Sequence, residues 1–406
     1  MSGITHWAAF EPLRYADFRV LAVVSALNSV GMMAGQVALG WFVLQLTDSP
    51  FMVGVVIALR MLPNLFLGIP AGAVADRVDR RRMIQVLYLL MAVPMGLLGL
   101  LIAAGRTEIW EVFALVFIGG ALSPFNQTAL TSLAFDITGR SGVVYGLTLM
   151  RLAMGVGSLV GSIVIGSVMA RIGIDIAFFV LAGAYVLASV AALFIKSRGQ
   201  AAPTTSAGSA RDSLAEFARE IRTNRSLLAL TISTSVLEVL GFSHSVLLPS
   251  LARDVLGLDA EGLGLISGLR NIGSLTAIFF IVAIGERLAK GLVYQIATLF
   301  FGLFLLALAV TGQLVAVVAI LIALSAMMTL TDVLSQSLMQ LVVPNELRGR
   351  AMGSWMLAIG TAPAGNLQIG AVASAVGFGL ALSLNGLGLV VLAVGLFAVA
   401  PNIRKV

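Results

Sequence analysis

The stretch Gly72-Ala-Val-Ala-Asp76-Arg77-Val-Asp79-Arg80-Arg81-Arg82 is a charged turn between two long apolar segments. A degenerate copy follows 210 residues later, where Asp76 falls on Glu286, Arg77 on Arg287 and Arg80 on Lys290. The same shift without a gap places Gly54 on Gly264, Arg60 on Arg270 and Gln85 on Gln295. The chain is therefore predicted to consist of two halves built on one plan.

Arg60 and its copy Arg270 lie inside apolar segments, where a charged side chain is costly. An arginine kept in phase in both halves indicates a shared structural or functional requirement. Two parallel repeats related by an axis along the membrane normal are one way to build a transport path between them. The repeat thus favours a membrane transporter.

Composition supports a membrane location, because 59% of the residues are hydrophobic and only 11% are charged, against about 25% charged in soluble domains. Segments of about 20 apolar residues, each long enough to cross a bilayer, recur along the chain. We predict twelve spans: 17–46, 51–75, 83–104, 109–135, 142–170, 175–196, 226–252, 261–285, 291–311, 314–342, 350–375 and 379–400. The fold class is an all-α membrane protein with two pseudo-symmetric six-helix bundles.

The domains are predicted as an N-terminal bundle at 1–196, a cytoplasmic linker at 197–225 and a C-terminal bundle at 226–406. The linker begins with flexible polar sequence and continues with helical spacing of Leu214, Phe217, Ala218 and Ile221, which indicates a short amphipathic helix. It is read as a tether, with a regulatory or partner-binding role as the alternative.

Basic residues set the orientation, since cytoplasmic loops are rich in Lys and Arg. Clusters follow span 2 and span 10, whereas Arg106, Arg171 and Arg253 fall on the opposite side. Both termini are expected in the cytoplasm of a bacterial cell, with the chain in the inner membrane and the first span an uncleaved insertion signal. The excess of positive charge therefore reflects topology and contact with anionic lipids rather than nucleic-acid binding.

The charged turn resembles the cytoplasmic signature of the major facilitator superfamily, except that Asp79 stands where glycine is usual. The resemblance covers nearly the whole chain and implies the two-bundle fold, alternating access and a monomer. It assigns a conformational switch to Gly72, Asp76, Arg77, Arg80, Glu286 and Arg287. Gly72 is expected to allow close helix approach, and Asp76 to cap a helix of the other half near 350–354. The alternative is that these charges only fix topology.

Two further stretches resemble the branch of drug, macrolide and siderophore exporters that exchange substrate for protons. Span 5 carries Gly157, Gly161 and Gly166, and the N-terminal run 10–19 is similar to this branch. The glycines are equally consistent with tight helix packing. An arginine that many relatives carry in span 4 is absent, so no proton relay built on it is carried over.

Ionisable groups within spans are functional candidates. We predict Glu238, near the middle of span 7, as the proton-coupling residue, with Asp332 in span 10 as the second candidate. The alternative for Glu238 is a structural carboxylate paired with an arginine. The intramembrane cations Arg60, Arg151 and Arg270 are read as structural or gating residues, with attraction of an anionic substrate as the alternative.

In the superfamily, helices 1, 4, 7 and 10 line a central cavity. The resemblance therefore implies the following lining residues: Asn28, Gln36, Asn126, Glu238, His244 and Asp332. Hydrogen bonds between helices are the alternative role for each amide, and His244 is read as a satisfied buried histidine. With no cysteine and only two histidines, no metal site or cofactor is expected.

The sequence predicts a secondary transporter, not an enzyme, that exports an amphipathic small molecule by proton antiport. Its partners are this substrate, protons and membrane lipids, with no nucleic acid. A lipid or lysophospholipid flippase on the same fold is the alternative. A non-transporting receptor or scaffold is disfavoured by the buried charges.

Overall fold

A computed structural model describes residues 8–197, 224–284, 289–343, 348–399 and 403–404. The main helices are α1 (Ala16–Thr47), α2 (Pro50–Ala75), α3 (Arg80–Ala103), α4 (Ile109–Gly139), α5 (Tyr145–Arg171), α6 (Ile174–Ala192), α7 (Arg225–Val255), α8 (Ala260–Leu269 and Asn271–Ile284), α9 (Lys290–Val310), α10 (Leu314–Leu341), α11 (Arg348–Ile359 and Ala362–Val376) and α12 (Phe378–Val399). A short 3-10 helix, Ala8–Arg14, precedes α1.

Eleven helices in the described ranges are long and apolar enough to cross a membrane. The predicted span at 350–375 is α11, which is interrupted at 360–361, so that neither of its pieces reaches 18 residues. The chain is thus an all-helical, multi-pass membrane protein. The twelfth crossing stays a prediction.

Helix α3 illustrates why these segments need lipid, because it is apolar on both of its faces. One face is exposed at Val86, Leu90, Val93, Leu97 and Leu100, and the other is buried at Ile84, Tyr88, Met91, Met95 and Leu98. A helix that is hydrophobic all round is stable only when every face meets an apolar environment. Packing therefore occupies one face of α3 and leaves the other for acyl chains.

The chain packs as two compact units. The first comprises Met1–Leu46, Leu59–Thr204 and Asp259–Gly268. Its core is built from large, fully buried side chains, among them Phe18, Tyr88, Leu133 and Phe178. Helices α3 and α6 pack along each other, and α1 packs against α5.

The second unit comprises Thr47–Ala58, Thr205–Leu258 and Leu269–Val406. Its buried core includes Tyr294, Phe301, Leu305 and Leu389, and α9 packs along α12. The predicted boundaries at 196 and 226 stay a prediction, because most of the linker, residues 198–223, lies outside the described ranges. The predicted amphipathic helix falls within that segment.

The sequence repeat reappears as the same hydrogen bond inside each unit. Gln85 Nε2 on α3 donates to the Ala192 carbonyl at the end of α6, at 3.1 Å. Its copy, Gln295 Nε2 on α9, donates to the Leu396 carbonyl on α12, at 3.3 Å. An amide hydrogen bond between two helices thus accounts for the paired glutamines in the two halves.

Gly139 makes the turn between α4 and α5 possible. Its φ of 67° lies in the left-handed region, and it is the non-helical residue inside the otherwise continuous stretch Ile109–Arg171. A side chain at this position would strain the backbone. One glycine therefore converts a single helical run into two spans.

Candidate functional site

Helices α1 and α7 each contain an irregular turn close to predicted cavity-lining residues. In α1 the backbone follows a π-helical turn over Val30–Ala34. In α7 a π-helical turn over Leu237–Gly241 is followed by a 3-10 turn over Phe242–Leu247. Such turns leave the regular hydrogen-bond ladder and are frequent at functional sites.

A glycine of a neighbouring helix lies against each π turn. A Cβ built on Gly161 of α5 would stand about 3.0 Å from the Val30 side chain. A Cβ on Gly365 of α11 would stand 2.6 Å from Val239 and 3.0 Å from the Glu238 carbonyl oxygen. The span-5 glycine thus has a packing role in this structure, which was one of the two readings left open for that motif.

Glu238 lies within the π turn of α7 and is only 6% exposed. Asp332 on α10, which is half-buried, is near enough for its charge to act on the Glu238 carboxyl group. In the part of the chain that the structure describes, no basic side chain forms an ion pair with Glu238. The structure therefore brings the two predicted proton-coupling residues together, and the arginine partner considered for Glu238 is not found.

His244 follows in the 3-10 turn and is buried. Its Nδ1 is 2.7 Å from the Gly241 carbonyl oxygen, which can only accept, so Nδ1 carries the hydrogen. The ring also meets Phe301 edge-on, with centroids 6.0 Å apart. These contacts agree with the reading of a satisfied buried histidine.

The predicted amides of the first unit form an interhelical hydrogen bond. Asn126 Nδ2 on α4 donates to Asn28 Oδ1 on α1 at 2.9 Å, and both side chains are buried. Gln36, one turn beyond the π segment, is half-buried. For Asn28 and Asn126, this contact agrees with the alternative role considered for the amides, a hydrogen bond between helices.

Arg60 on α2 stabilises the π turn of α1. Its Nη2 donates to the Met32 carbonyl oxygen at 3.0 Å, which satisfies an acceptor inside the irregular turn. Arg60 also lines a small open pocket within the first unit, together with Met32, Leu39, Met91, Met95, Val116, Gly119, Ser123 and Tyr185. Sequence reasoning missed most of this lining, because methionine, valine and tyrosine in apolar helices carry no signal of which side they face.

The other two intramembrane arginines have different surroundings. Arg151 on α5 is exposed on the helix surface. Arg270 interrupts α8 between its two segments and is half-buried, and its charge acts on His244.

The charged turn after α2 is organised by Arg80, which is buried at the start of α3. Its Nη1 donates to Asp136 Oδ2 at 2.6 Å, its Nε to the Ala75 carbonyl at 3.2 Å and its Nη2 to Asp76 Oδ1 at 3.3 Å. Asp136, near the end of α4, was not predicted, because nothing in its own neighbourhood marks a partner 56 residues away. Asp76 and Arg77 are exposed.

Asp79, the departure from the usual glycine, caps α3. Its Oδ1 accepts from the Arg81 and Arg82 backbone N–H groups at 3.0 and 3.3 Å. This is the N-cap geometry that carboxylates favour. A Cβ on Gly72 would meet no described atom within 4 Å, so the close approach expected there is not present in this structure. Glu286 and Arg287 lie outside the described ranges.

Two arginines that the charge pattern placed on the outer side have carboxylate partners. Arg171 contacts Glu261 through Nη2 at 2.6 Å and Nε at 3.1 Å, within the first unit. Arg253 Nη2 contacts Asp48 at 2.6 Å, within the second. No sequence pattern connects these residues, since they come from distant parts of the chain.

The helical architecture is shared with solved transporters. The nucleoside transporter NupG aligns with a TM-score of 0.79 at 15% identity, covering 94% of this chain and 99% of its own. A bacterial homologue of the human lysosomal transporter Spinster aligns with a TM-score of 0.71 at 12% identity, covering 97% of both chains. At such identities the likeness concerns the fold alone.

Fold and sequence signature together define a membrane transporter of the major facilitator superfamily, and not an enzyme. Within it, the chain belongs to the transmembrane secretion effector family, which matches residues 7–405. The staphyloferrin A transporter of Staphylococcus aureus (strain NCTC 8325 / PS 47) is 23% identical over 372 residues, 89% of this chain and 91% of that protein. The multidrug efflux pump Tap of Mycolicibacterium fortuitum is 27% identical over 391 residues, 91% and 92% of the two chains.

Proposed function

We propose that this transporter exports an amphipathic small molecule from the cytoplasm in exchange for protons, with Glu238 and Asp332 as the coupling pair. The observation that carries the proposal is the proximity of these two carboxyl groups, one of them buried within an irregular turn. Two like charges in one site repel, so a pair of carboxyl groups can share a single proton. Release of that proton would accompany a change in exposure of the site.

Export of a small organic molecule is supported by the two relatives, whose names describe a staphyloferrin A transporter and a multidrug efflux pump. The cation distribution supports a bacterial inner membrane location with both termini in the cytoplasm. Twelve spans in two bundles, with α11 crossing as two segments, complete the proposed topology.

The test is proton movement in energised inside-out vesicles, across cationic, neutral, anionic and lipid-like compounds. Wild type is compared with Glu238→Gln and Asp332→Asn, and with Glu11→Gln as a control, because Glu11 is exposed outside the spans. We expect substrate-evoked proton release in the wild type and the control, and its loss in both carboxyl variants.

Other results of the vesicle assay would overturn part of the proposal or show that the control fails. Release that persists in both variants would leave antiport standing and overturn the coupling pair. Movement of a labelled lipid with no proton signal would overturn antiport in favour of the flippase. Loss of release in Glu11→Gln would show that the assay responds to any lost carboxylate.

A further inference from the structure

Arg270 is a cation that this structure leaves uncompensated. It interrupts α8 between Leu269 and Asn271, at the position that corresponds to Arg60 in the sequence repeat. Its Nη1 is buried and has no hydrogen-bond partner in the described ranges, and no described carboxylate forms an ion pair with it. A buried guanidinium nitrogen without an acceptor loses its hydrogen bonds to water, which is costly.

Comparison with Arg60 argues against a purely structural role for Arg270. Arg60 uses its Nη2 on the Met32 carbonyl of the π turn, so its structural role is visible. Within the described ranges Arg270 makes no equivalent bond, although His244, on which its charge acts, lies in the irregular part of α7. A purely structural arginine would be expected to find such an acceptor, because a guanidinium carries five donors in a fixed plane.

The neighbours of Arg270 do not supply a counter-ion. His244 is the neighbour on which its charge acts, but an imidazole carries no negative charge and is therefore not a counter-ion. Asp332 and Glu238 act on each other. Because Arg270 is only half-buried, part of the side chain stays accessible to a molecule that brings an acceptor.

We propose that the Arg270 guanidinium binds a carboxylate or similarly planar anionic group of the exported molecule, which makes the substrate an anionic amphipath. The assignment rests on the proposed export function and names the chemical class of its substrate. A planar anion pairs with a guanidinium through two parallel hydrogen bonds, which gives both strength and orientation.

The test is equilibrium binding to the purified full-length protein in lipid nanodiscs, measured by calorimetry. The probes share one ring system and differ only in the head group: 2-naphthoate, 2-naphthamide and 2-naphthylmethylammonium. The variants are Arg270→Gln, Arg270→Lys, which keeps the charge but not the planar fork, and Arg151→Gln. Arg151 is the matched control, because it is an exposed arginine within a span.

We expect wild type and Arg151→Gln to bind naphthoate at least tenfold more tightly than the amide, about the difference that one charged pair makes. Arg270→Gln should lose that preference, and Arg270→Lys should keep part of it. The site is overturned if wild type shows no preference for naphthoate or does not bind it, a comparison that needs no variant. It is equally overturned if folded Arg270→Gln keeps the preference.

Failure of this site and failure of antiport are distinguishable, because the binding measurement uses no proton gradient. A preference for naphthoate that depends on Arg270, together with no proton release in vesicles, would sustain the anion site and overturn antiport. Proton release evoked equally by all head groups, with no binding preference, would overturn the anion site alone.

Discussion

Replacing Arg80 with glutamine removes the guanidinium that joins the charged turn to α4. The short contact from Nη1 to Asp136 is well protected, with side-chain exposures of 7% for Arg80 and 20% for Asp136. A hydrogen bond to a charged group contributes about 1.5–3 kcal/mol, and the Ala75 carbonyl adds about 1 kcal/mol. Asp76 is 47% exposed, so solvent screening reduces its share to a few tenths of a kcal/mol. We expect a loss of about 3 kcal/mol in the free energy of unfolding.

The assay is reversible unfolding in mixed detergent micelles, arranged as a double-mutant cycle with Asp136→Asn. Because the two side chains are in direct contact, the coupling energy should be about 1.5–3 kcal/mol. Arg82→Gln is the matched control, since Arg82 is exposed on the same helix and its side chain forms no ion pair with any described residue; we expect a change below about 0.5 kcal/mol. Coupling near zero, or an equal loss in Arg82→Gln, would refute the reasoning.

Three further predictions concern local packing and use the same unfolding assay. In Gly31→Ala, the new methyl group would overlap the Tyr185 ring; we expect a loss of about 1–3 kcal/mol, recovered in part by Tyr185→Leu, and no recovery would contradict the steric account. Asp79→Ala should lose about 1 kcal/mol as the α3 cap disappears, and Asp79→Gly should lose less; an equal loss would show that capping is not the cause. Asn28→Leu should cost about 0.6–2 kcal/mol by leaving Asn126 without its partner, and Asn126→Leu in the same background should add little.

The position of Glu238 in α7 followed from the length and apolarity of its segment, and its burial agrees with that expectation. Its nearness to Asp332 did not follow, because the two residues lie on separate helices and share no sequence pattern. The same holds for Arg80, whose place in the charged turn was evident while its partner Asp136 was not. A local sequence motif can identify one residue of a contact, but the identity of its partner depends on tertiary packing.

The surroundings of two residues in the charged turn, Asp79 and Gly72, also depended on tertiary packing. Asp79 departs from the usual glycine of the signature, and it caps α3, because the chain direction after the turn brings two backbone N–H groups onto its carboxylate. Gly72 was expected at a close helix contact, and a Cβ built there meets no described atom within 4 Å. The sequence shows that position 72 is a glycine, but it does not show whether a neighbouring helix packs against it.

By itself the sequence determined that this protein lies in a membrane, that its two halves share a plan, and that a charged turn links α2 to α3. These conclusions rest on chain-local physics: apolar length sets a span, the Lys and Arg bias sets orientation, and a repeat preserves its phase. Only the tertiary structure decided that Arg60 satisfies a π-turn carbonyl while Arg270 stays uncompensated. The two arginines occupy the same position in the sequence repeat, and they differ because the acceptor of Arg60 is a carbonyl of another helix, which only tertiary packing brings within reach.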